Sequence, residues 1–414
     1  MVYLSLLIYN LALRAYGLGI RFASFTNTKA GQWIAGRKNW KSQLAGLGSS
    51  VNPTYWFHCA SLGEFEQARP LIEQIKKHQP DCRIVLTFFS PSGYEVRKNY
   101  AMADLVMYLP LDTAANASYF IETLQPTRAF FVKYEFWFHY LHQLQQRHIP
   151  VVLFSANFRP KQAFFKWYGG LFRQMLQWYS FVFVQNQQSQ TLLNSIGINS
   201  IIAGDTRFDR VIEIASNRQA LPLIAQFKGS HPILIAGSTW PKDETLLTTL
   251  IQEEALTNFK YILAPHDIHL NRIKQLMQSL GNKAVRFSEL NENNAATATV
   301  LVVDSIGQLT SIYAYGDIAY VGGGFDASVH NVLEPAVYSM PVIFGPNHQK
   351  SAEAIELLNA NAAFCIRNYP DLKMVITTLA VAGLGKAKSA GEIARNYVVE
   401  NSGGTAVILQ HLNL

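Results

Sequence analysis

Short apolar runs alternate with longer stretches rich in Leu, Gln, Glu and Lys from residue 54 onward. Runs without a polar face are typical of parallel strands buried on both sides, and the stretches between most of them are long enough for crossover helices. The pattern therefore predicts an α/β fold built on doubly wound parallel sheets. The predicted strands lie at residues 55–61, 83–89, 105–111, 128–134, 150–157, 181–186, 200–206, 232–239, 261–267, 300–304, 318–324, 341–346 and 362–366.

A stretch rich in Ser, Asn, Pro and Gly interrupts this alternation and divides the chain. A length of 414 residues also suits two domains better than one. Ligands of open α/β sheets bind beyond the carboxyl ends of the strands, so two such domains facing each other predict a central cleft. The predicted parts are an N-terminal Rossmann-like domain at 41–215, a linker at 216–230, a C-terminal Rossmann-like domain at 231–395, and a helix at 396–414 that packs back on the first domain.

Positive charge is concentrated at the N-terminal end. The chain has 35 basic and 28 acidic residues, a net charge of +7, yet residues 1–63 contain six basic residues and no Asp or Glu. Because the remainder is almost neutral, a basic surface for nucleic acid is not predicted. A basic zone beside an apolar segment favours an anionic membrane surface as partner instead. The six residues are Arg14, Arg21, Lys29, Arg37, Lys38 and Lys41.

The apolar segment at residues 1–25 is short for a membrane span, since Arg14 ends its uncharged part. Arg14 and Arg21 lie seven residues apart and share one helical face, so we predict a membrane-associating interfacial helix within residues 1–40. A tilted span and an ordinary buried helix are the alternatives. A cleaved signal peptide is disfavoured because no basic residue precedes the apolar run.

Cys59, Cys82 and Cys365 are odd in number and form no CxxC pair. This argues against a disulfide framework and favours a reducing compartment. His266 and His269 could suggest zinc, but neither an HExxH motif nor a partner cluster accompanies them. The sequence therefore predicts no metal site.

The first predicted strand ends in HCASLGE at residues 58–64, where Ser61 and Gly63 permit a tight turn into a helix. Glu64 falls in the first turn of that helix. Such a carboxylate either compensates the helix dipole or points into the cleft as a general base, with Gly63 leaving room for a substrate hydroxyl. The residues alone leave both interpretations open.

Two strand-to-helix turns of the second half carry residues suited to a phosphate. Ser238 and Thr239, in GSTWPKDE, could hold a phosphate or cap the following helix. Gly323 and Gly324, in the run GGGFDASVHNVLEPA, allow close backbone approach before another helix. Both turns are therefore candidate nucleotide contacts.

Asn331 and Glu334 follow the glycines and share one helical face because three positions separate them. Glu334 could accept hydrogen bonds from ribose hydroxyls. The same spacing fits a capping box formed by the two residues. Neither interpretation is excluded by the pattern.

In the order of its motifs the chain resembles the 3-deoxy-D-manno-octulosonate (Kdo) transferases of lipopolysaccharide synthesis over nearly its whole length. A single motif would be weak support, whereas their order is specific. The resemblance implies a GT-B fold in which the C-terminal Rossmann-like domain holds most of the nucleotide. The motifs are HCASLGE at 58–64, TFFSPSGYE at 87–95, YLPLD at 108–112, YEFW at 134–137, Asn157-x-Arg159, GDTRFDR at 204–210, AGST at 236–239, VDSIGQL at 303–309 and HNVLEP at 330–335.

The resemblance implies that the donor is CMP-Kdo and that Kdo passes to a hydroxyl of a lipid A precursor with inversion at the anomeric carbon. Glu64 matches the catalytic base of the family. Glu135 in YEFW and Arg207 in GDTRFDR match positions that stabilise the transition state. No cofactor beyond the donor is implied. The expected location is the cytoplasmic face of the bacterial inner membrane, with the N-terminal segment as anchor.

Contacts to CMP follow from the same motifs, and three positions depart from the family pattern. The family usually has Arg at His266, Lys at Arg207 and Glu at Gln308. The change to His266 removes a permanent cation, whereas Arg207 keeps the charge with another geometry. These departures indicate a divergent branch rather than an inactive enzyme, because the acidic site residues remain. The implied CMP contacts are Pro265, His266, Ile306, Gly307, Gln308, Asn331, Val332, Leu333 and Glu334.

Two other functions remain open from the sequence. Another GT-B enzyme, such as a UDP-sugar glycosyltransferase or epimerase, would share the Gly-rich turn and the ribose-binding Glu. The SLGE and YEFW motifs favour Kdo over that alternative. A non-catalytic membrane-associated binding protein would keep the fold and tolerate the loss of Glu64.

Overall fold

The computed structural model describes residues 2–253, 256 and 258–414. Met1, which belongs to the predicted segment 1–40, lies outside the described residues. The chain forms two compact units, and we call Met1–Arg210 with Ser402–Leu414 unit 1 and Val211–Asn401 unit 2. The division thus falls shortly before the predicted linker at 216–230.

The elements up to the division alternate as the sequence predicts. They are α1 (Val2–Ala23), α2 (Thr28–Ala35), α3 (Trp40–Gly46), β1 (Thr54–Cys59), α4 (Leu62–His78), β2 (Arg83–Phe88), α5 (Pro91–Arg97), β3 (Leu105–Tyr108), α6 (Ala114–Leu124), β4 (Arg128–Val132), α7 (Phe138–Gln146), β5 (Val151–Ala156), α8 (Gly170–Gln177), β6 (Phe181–Val184), α9 (Gln187–Asn194), β7 (Ile201–Ile202) and α10 (Arg207–Ser216).

The remaining elements repeat the alternation and end in two helices. They are α11 (Pro222–Lys228), β8 (Ile233–Thr239), α12 (Pro241–Gln252), β9 (Lys260–Pro265), α13 (Leu270–Leu280), β10 (Ala284–Arg286), β11 (Val300–Val302), α14 (Leu309–Ile312), β12 (Ile318–Val321), α15 (Leu333–Ala336), β13 (Val342–Phe344), α16 (Ala352–Asn359), β14 (Ala363–Cys365), α17 (Tyr369–Glu400) and α18 (Gly404–Leu412).

Each unit contains one seven-stranded parallel sheet. The strand order is β3-β2-β1-β4-β5-β6-β7 in unit 1 and β10-β11-β9-β8-β12-β13-β14 in unit 2. Each predicted run contains a strand, which confirms the doubly wound α/β prediction. The sequence missed β10, a three-residue edge strand whose side chains are only partly buried, because it lacks the continuous apolar run of a central strand.

The strands are apolar on both faces because helices cover both sides of each sheet. All six residues of β1 are buried. Trp56 packs on Phe131 and Phe120 on one face, with ring centroids 5.0 and 4.9 Å apart. On the other face Phe57 stacks on Phe130 at 4.4 Å. Polar side chains are therefore concentrated where the strands end.

Helix α18 belongs to unit 1, although it follows unit 2 in the chain. Its Ile408 and Leu412 lie in the core under the unit 1 sheet. The carboxylate of Asp209 accepts hydrogen bonds from the N–H groups of Gly403 and Thr405, at 2.5 and 2.6 Å. These bonds fix the residues that lead into α18.

Helix α1 packs on unit 1 with one face and exposes an apolar face. Tyr9 donates a hydrogen bond to Asp112 at 2.6 Å, and Asn10 lies 2.7 Å from His139 Nε2. Leu11 and Phe22 are 54% and 74% exposed. Among the described residues no helix combines the length and hydrophobicity needed to cross a membrane. Association of α1 with a membrane surface stays a prediction.

Candidate active site

The carboxyl ends of β1 and β4 lie side by side in unit 1, where the strand order reverses. β1 pairs in parallel with β2 on one side and β4 on the other. Ligands of open parallel sheets bind at such a switch point. Glu64 follows β1 and Glu135 follows β4. Burial and then the charges of Glu64 and Glu135 raise the pKa of the Cys59 thiol at the end of β1.

Glu64 lies in the first turn of α4 and is partly exposed. Ser61 Oγ donates a hydrogen bond to Glu64 Oε2 at 2.7 Å and makes no side-chain cap on α4. Gly63 is exposed, and a Cβ built there would lie 3.9 Å from Ser61 Oγ, an ordinary contact. The carboxylate therefore lies at an open turn and is accessible to a substrate hydroxyl, as a general base must be.

Glu135 is a buried carboxylate, 6% exposed, at the turn after β4. Its Oε2 accepts a hydrogen bond from Trp137 Nε1 at 2.6 Å and lies 3.0 Å from His58 Nε2. Tyr179 donates to its backbone carbonyl at 2.5 Å. Two bonds thus hold the side chain and a third holds its backbone, which gives Glu135 a fixed position beside the end of β1.

His58 is a site residue that the sequence reasoning did not assign. It is fully buried in β1, with Nε2 at Glu135 and Nδ1 2.9 Å from Thr87 Oγ1. Trp56 Nε1 also donates to Thr87 Oγ1, at 2.8 Å. An imidazole in the otherwise apolar run TYWFHC was the available signal, because buried polar groups need partners. The partners come from distant parts of the chain, so the sequence could not identify them.

Arg207 pairs with Asp205 at the start of α10. Its Nε and Nη2 donate to Asp205 Oδ2 at 3.0 and 2.7 Å. Gln67 Nε2 donates to Asp205 Oδ1 at 2.9 Å, and Gln67 lies one helical turn after Glu64 on α4. Through Gln67, the Asp205–Arg207 ion pair therefore contacts α4, the helix that carries the candidate base Glu64.

Lys133 is a second cation at this edge that the sequence reasoning missed. Burial disfavours the charged form of Asp205, but Arg207 and then Lys133 outweigh it and hold the pKa of that carboxyl below its usual value. The backbone of Lys133 is left-handed, with φ 59°, a strained conformation for a residue with a side chain. The strained turn joins β4 directly to the segment of Glu135.

In unit 2 the glycines after β12 are closely packed against neighbouring backbone. A Cβ on Gly322 would lie 2.3 Å from Ser238 O, and one on Gly324 would lie 2.6 Å from Gly345 N. Gly323 adopts φ +90° and donates its N–H to Asp243 Oδ2 at 3.1 Å. Packing alone therefore requires glycine here. Binding of a phosphate by Gly323 and Gly324 stays a prediction.

The two hydroxyl residues at the end of β8 differ in accessibility. Thr239 is buried and donates its hydroxyl to Glu244 Oε1 at 3.0 Å. Ser238 is partly exposed and left-handed, with φ 53°. Asp243 Oδ2 also accepts the N–H of Trp240 at 2.9 Å, at the start of α12. Ser238 is thus the more accessible of the two for a ligand.

Three aromatic rings stack beside the glycine turn. The ring of His266 lies 4.8 Å from Trp240 and 4.5 Å from His330, nearly parallel to both. Trp240 Nε1 donates to His330 Nε2 at 3.0 Å. Burial and the neighbouring His266 lower the pKa of His330 to about 4. His266 is exposed, whereas Pro265 before it is buried.

Asn331 and Glu334 interact directly at the start of α15. Asn331 Nδ2 donates to Glu334 Oε1 at 3.0 Å, and Asn331 Oδ1 accepts the N–H of Leu333 at 3.1 Å. The N-cap residue of α15 is Val332, which makes no side-chain cap bond, so the assignment of Asn331 and Glu334 as a capping box or as ribose contacts stays a prediction. Glu334 is partly exposed, while Val332 and Leu333 are buried.

The segment before α14 is the most exposed of the predicted nucleotide contacts. Ile306 is 86% exposed, and Gly307 adopts φ +87° with open space where a Cβ would lie. Gln308 precedes α14 and is partly exposed. Within the described ranges no group of three or more His, Cys, Asp or Glu side chains is arranged to hold a metal ion. That the reaction requires no metal ion stays a prediction.

A family model described as 3-deoxy-D-manno-octulosonic-acid transferase (kdotransferase) matches residues 35–210. Relatives with that transferase name extend over more of the chain. One from Rickettsia prowazekii is 25% identical over 404 residues, covering 95% of this chain and 87% of its own. One from Haemophilus influenzae is 29% identical over 316 residues, covering 73% of each chain.

Solved structures support the fold. A UDP-GlcNAc 2-epimerase from Neisseria meningitidis aligns with a TM-score of 0.60 at 15% identity, covering 87% of this chain and 99% of its own. MurG from Acinetobacter baumannii aligns with a TM-score of 0.55 at 14% identity and the same coverage. Together with the two seven-stranded parallel sheets, these likenesses confirm the GT-B fold. The family model over residues 35–210 and the relatives, which extend over up to 95% of the chain, support the Kdo transferase family for this chain.

Proposed function

We propose that this chain transfers Kdo from CMP-Kdo to a hydroxyl of a lipid A precursor, with inversion at the anomeric carbon and with Glu64 as general base. The observation that carries the proposal is the position of Glu64. Its carboxylate is partly exposed at the switch point of unit 1 and receives a hydrogen bond from Ser61, and it follows β1, which pairs with the strand that leads to the buried Glu135.

In the proposed step, a carboxylate oxygen of Glu64 removes the proton from the acceptor hydroxyl. At the same time the oxygen of that hydroxyl bonds to the anomeric carbon of Kdo. The bond between that carbon and the CMP phosphate oxygen breaks, and the electron pair leaves with CMP. The proton on Glu64 then passes to water. A base that acts in this way typically contributes roughly 10²–10⁴ in rate.

Glu135 and Arg207 act on the charges of the transition state. The fixed carboxylate of Glu135 stabilises positive charge that develops at the anomeric carbon, and its bonds to His58 and Trp137 keep it in place. Arg207 supplies a cation near the carboxylate of Kdo, with Asp205 setting the orientation of its guanidinium.

Unit 2 binds the CMP part of the donor. Glu334, oriented by Asn331, accepts hydrogen bonds from ribose hydroxyls, and Ser238 with the exposed turn at Ile306 and Gly307 approaches the nucleotide. His266 contributes a stacking ring in place of a permanent cation. The remaining predicted contacts, Thr239, Pro265, Gln308, Gly323, Gly324, Val332 and Leu333, contribute packing or backbone groups.

The acceptor side of the proposal rests on α1 and the basic N-terminal residues. The exposed apolar side chains of α1 would enter an anionic membrane surface, and the six basic residues would attract its phosphates. We propose the cytoplasmic face of the inner membrane as the location. The reaction itself would need no metal or cofactor beyond CMP-Kdo.

The experiment is a transfer assay with CMP-Kdo and a tetraacylated lipid A precursor, comparing Glu64→Gln with Glu66→Gln. Glu66 lies on the same helix and pairs with Arg97 at 2.9 Å. Glu64→Gln should lower kcat roughly 10²–10⁴-fold at unchanged CMP affinity, while Glu66→Gln stays within a few-fold of wild type. Full turnover by the folded Glu64→Gln protein, or tighter binding of UDP than CMP, would contradict the proposal.

A further inference from the structure

An open pocket of about 440 Å³ lies in unit 1 between α1, α2 and the loop after β3. Its lining includes the aromatic rings of Trp33 and Trp40 and three cationic side chains, Arg21, Arg37 and Lys38. No acidic residue lines it, and residues 1–63 contain none. The pocket therefore has the composition of an anion site with partly apolar walls.

Arg37 is held rigidly in this pocket by neutral groups. Its guanidinium donates to the carbonyls of Leu109 at 2.7 Å, Phe89 at 2.7 Å and Trp33 at 3.1 Å. It also lies 3.7 Å from the centroid of the Trp33 ring. These three bonds use three of the five N–H donors of a guanidinium. The cation is therefore oriented before any ligand arrives.

The charge of Arg37 lacks an acidic partner among the residues that the structure describes. Burial lowers its pKa to about 9, and the groups that oppose this shift are tyrosines, not carboxylates. Arg21 and Lys38 are exposed and likewise form no ion pair within the described ranges. A partly buried cation without a counter-ion is costly, and an anionic ligand would remove that cost.

The pocket connects to an apolar surface on one side. Gly17 and Arg21 of α1 line it, and the next residues, Leu18 and Phe22, are 52% and 74% exposed. Both pairs are four residues apart, so each pair forms one stripe along the helix. A ligand with a phosphate and acyl chains would place the phosphate at Arg21 and the acyl chains along Leu18 and Phe22.

On its other side the pocket approaches the candidate active site. Arg37 bonds the carbonyl of Phe89, and the Phe89 ring lies 4.8 Å from Trp137, which donates to Glu135. The contacts link the guanidinium to the carboxylate through two side chains. A molecule that reaches both sites would be a phosphorylated lipid substrate rather than a remote membrane lipid.

We propose that this pocket binds a phosphate group of the lipid acceptor, through charge-assisted hydrogen bonds from Arg37, Arg21 and Lys38. The inference rests on the proposed function, because it identifies which chemical group of the acceptor this chain recognises. No covalent step is involved. The phosphate would fix the acceptor so that one of its hydroxyls lies at the end of β1.

The test measures binding of the acceptor glycolipid, with and without its phosphates, in phosphatidylcholine vesicles. Arg37 is unsuitable for substitution because it supports three carbonyls, so the test variant is R21Q/K38Q. The control is R14Q/K29Q, which removes the same charge from exposed side chains outside the pocket. Wild type and control should bind the phosphorylated form roughly 10- to 100-fold more tightly than the dephosphorylated form, and R21Q/K38Q should lose most of this ratio.

Three outcomes would contradict the proposal that this pocket binds a phosphate of the lipid acceptor. Equal losses in the two double variants would indicate nonspecific attraction to the membrane. Equal dependence on Arg21 and Lys38 with phosphatidic acid vesicles would identify a membrane phospholipid as occupant, and displacement by millimolar inorganic phosphate would identify a free anion. The pocket is judged by binding without CMP-Kdo. A failure of Kdo transfer would therefore refute the proposed function and leave the binding result to decide the pocket.

Discussion

The carboxyl edges of the two sheets differ in the groups that form them. In unit 1, buried side chains bond to one another around Glu135, His58 and Asp205. In unit 2, glycines let backbone approach backbone at the ends of β8 and β12, and three aromatic rings stack beside them. Directional side chains suit proton transfer and charge stabilisation, whereas close backbone and stacked rings suit the holding of a nucleotide. The difference fits the division that we propose, with the chemistry in unit 1 and donor binding in unit 2.

The largest expected difference between the two edges is the change in stability when one glycine of each edge is replaced by alanine. Gly322→Ala places a Cβ 2.3 Å from Ser238 O. Because this oxygen belongs to the backbone, it cannot move away without distorting the end of β8, and unit 2 should lose about 3 kcal/mol of unfolding free energy. Gly63→Ala would make only an ordinary contact with Ser61 Oγ at 3.9 Å and should change the stability of unit 1 by under about 0.5 kcal/mol. Denaturant titrations that resolve the transitions would measure both. Similar costs would remove the contrast between the edges.

The same pair sharpens the function of unit 1. If Gly63 leaves room for an acceptor hydroxyl, Gly63→Ala should lower turnover roughly tenfold or more with the fold and the CMP affinity intact. Transfer and binding assays on one preparation would measure this. Unchanged turnover would mean that the space above Gly63 is not used by the acceptor.

Acid should weaken unit 2 through His330. The pKa of His330 is about 4 in the folded chain, against about 6.5 for an unfolded histidine. Between these values only the unfolded state takes up the proton, so stability falls as the pH drops from about 6.5 to 4 and is unaffected above that window. The expected loss is about 1 kcal/mol after allowance for partial exposure.

His330→Gln should remove this acid-dependent part, as measured by unfolding of unit 2 at several pH values. Gln keeps an acceptor for Trp240 Nε1. His231→Gln, at an exposed position of the same unit, is the matched control and should leave the pH dependence in place. The same pH profile for wild type and His330→Gln would exclude His330 as its source.

The smallest effect concerns the charge of the ring stack. His266→Arg restores a permanent cation beside the proposed CMP phosphate and should tighten CMP binding by about 3- to 10-fold at low salt. His269→Arg adds the same charge at an exposed neighbouring position and should change affinity by less than twofold. Calorimetric titration with CMP would distinguish them. Equal effects would indicate a general field rather than a contact.

Much of the fold was predictable because central parallel strands are continuous apolar runs. The edge strand β10 was not, since its three residues are only partly buried. At the site, Glu64, Glu135 and Arg207 could be assigned by their motifs. His58, Gln67 and Lys133 could not, because each acts through a partner more than one element away in sequence. Gly324 was named from the sequence as a phosphate contact, but its close packing on Gly345 could not be predicted because the two are distant in sequence.

The return of the chain to unit 1 through α18 has a consequence for biosynthesis. Ile408 and Leu412 complete the core under β1, and the carboxylate of Asp209 accepts hydrogen bonds from the amides of Gly403 and Thr405. A ribosome therefore synthesises all of unit 2 before it makes these residues. Unit 1 cannot finish folding until they emerge, while unit 2 can do so earlier, which reverses the N-terminal-first order usual for multidomain chains.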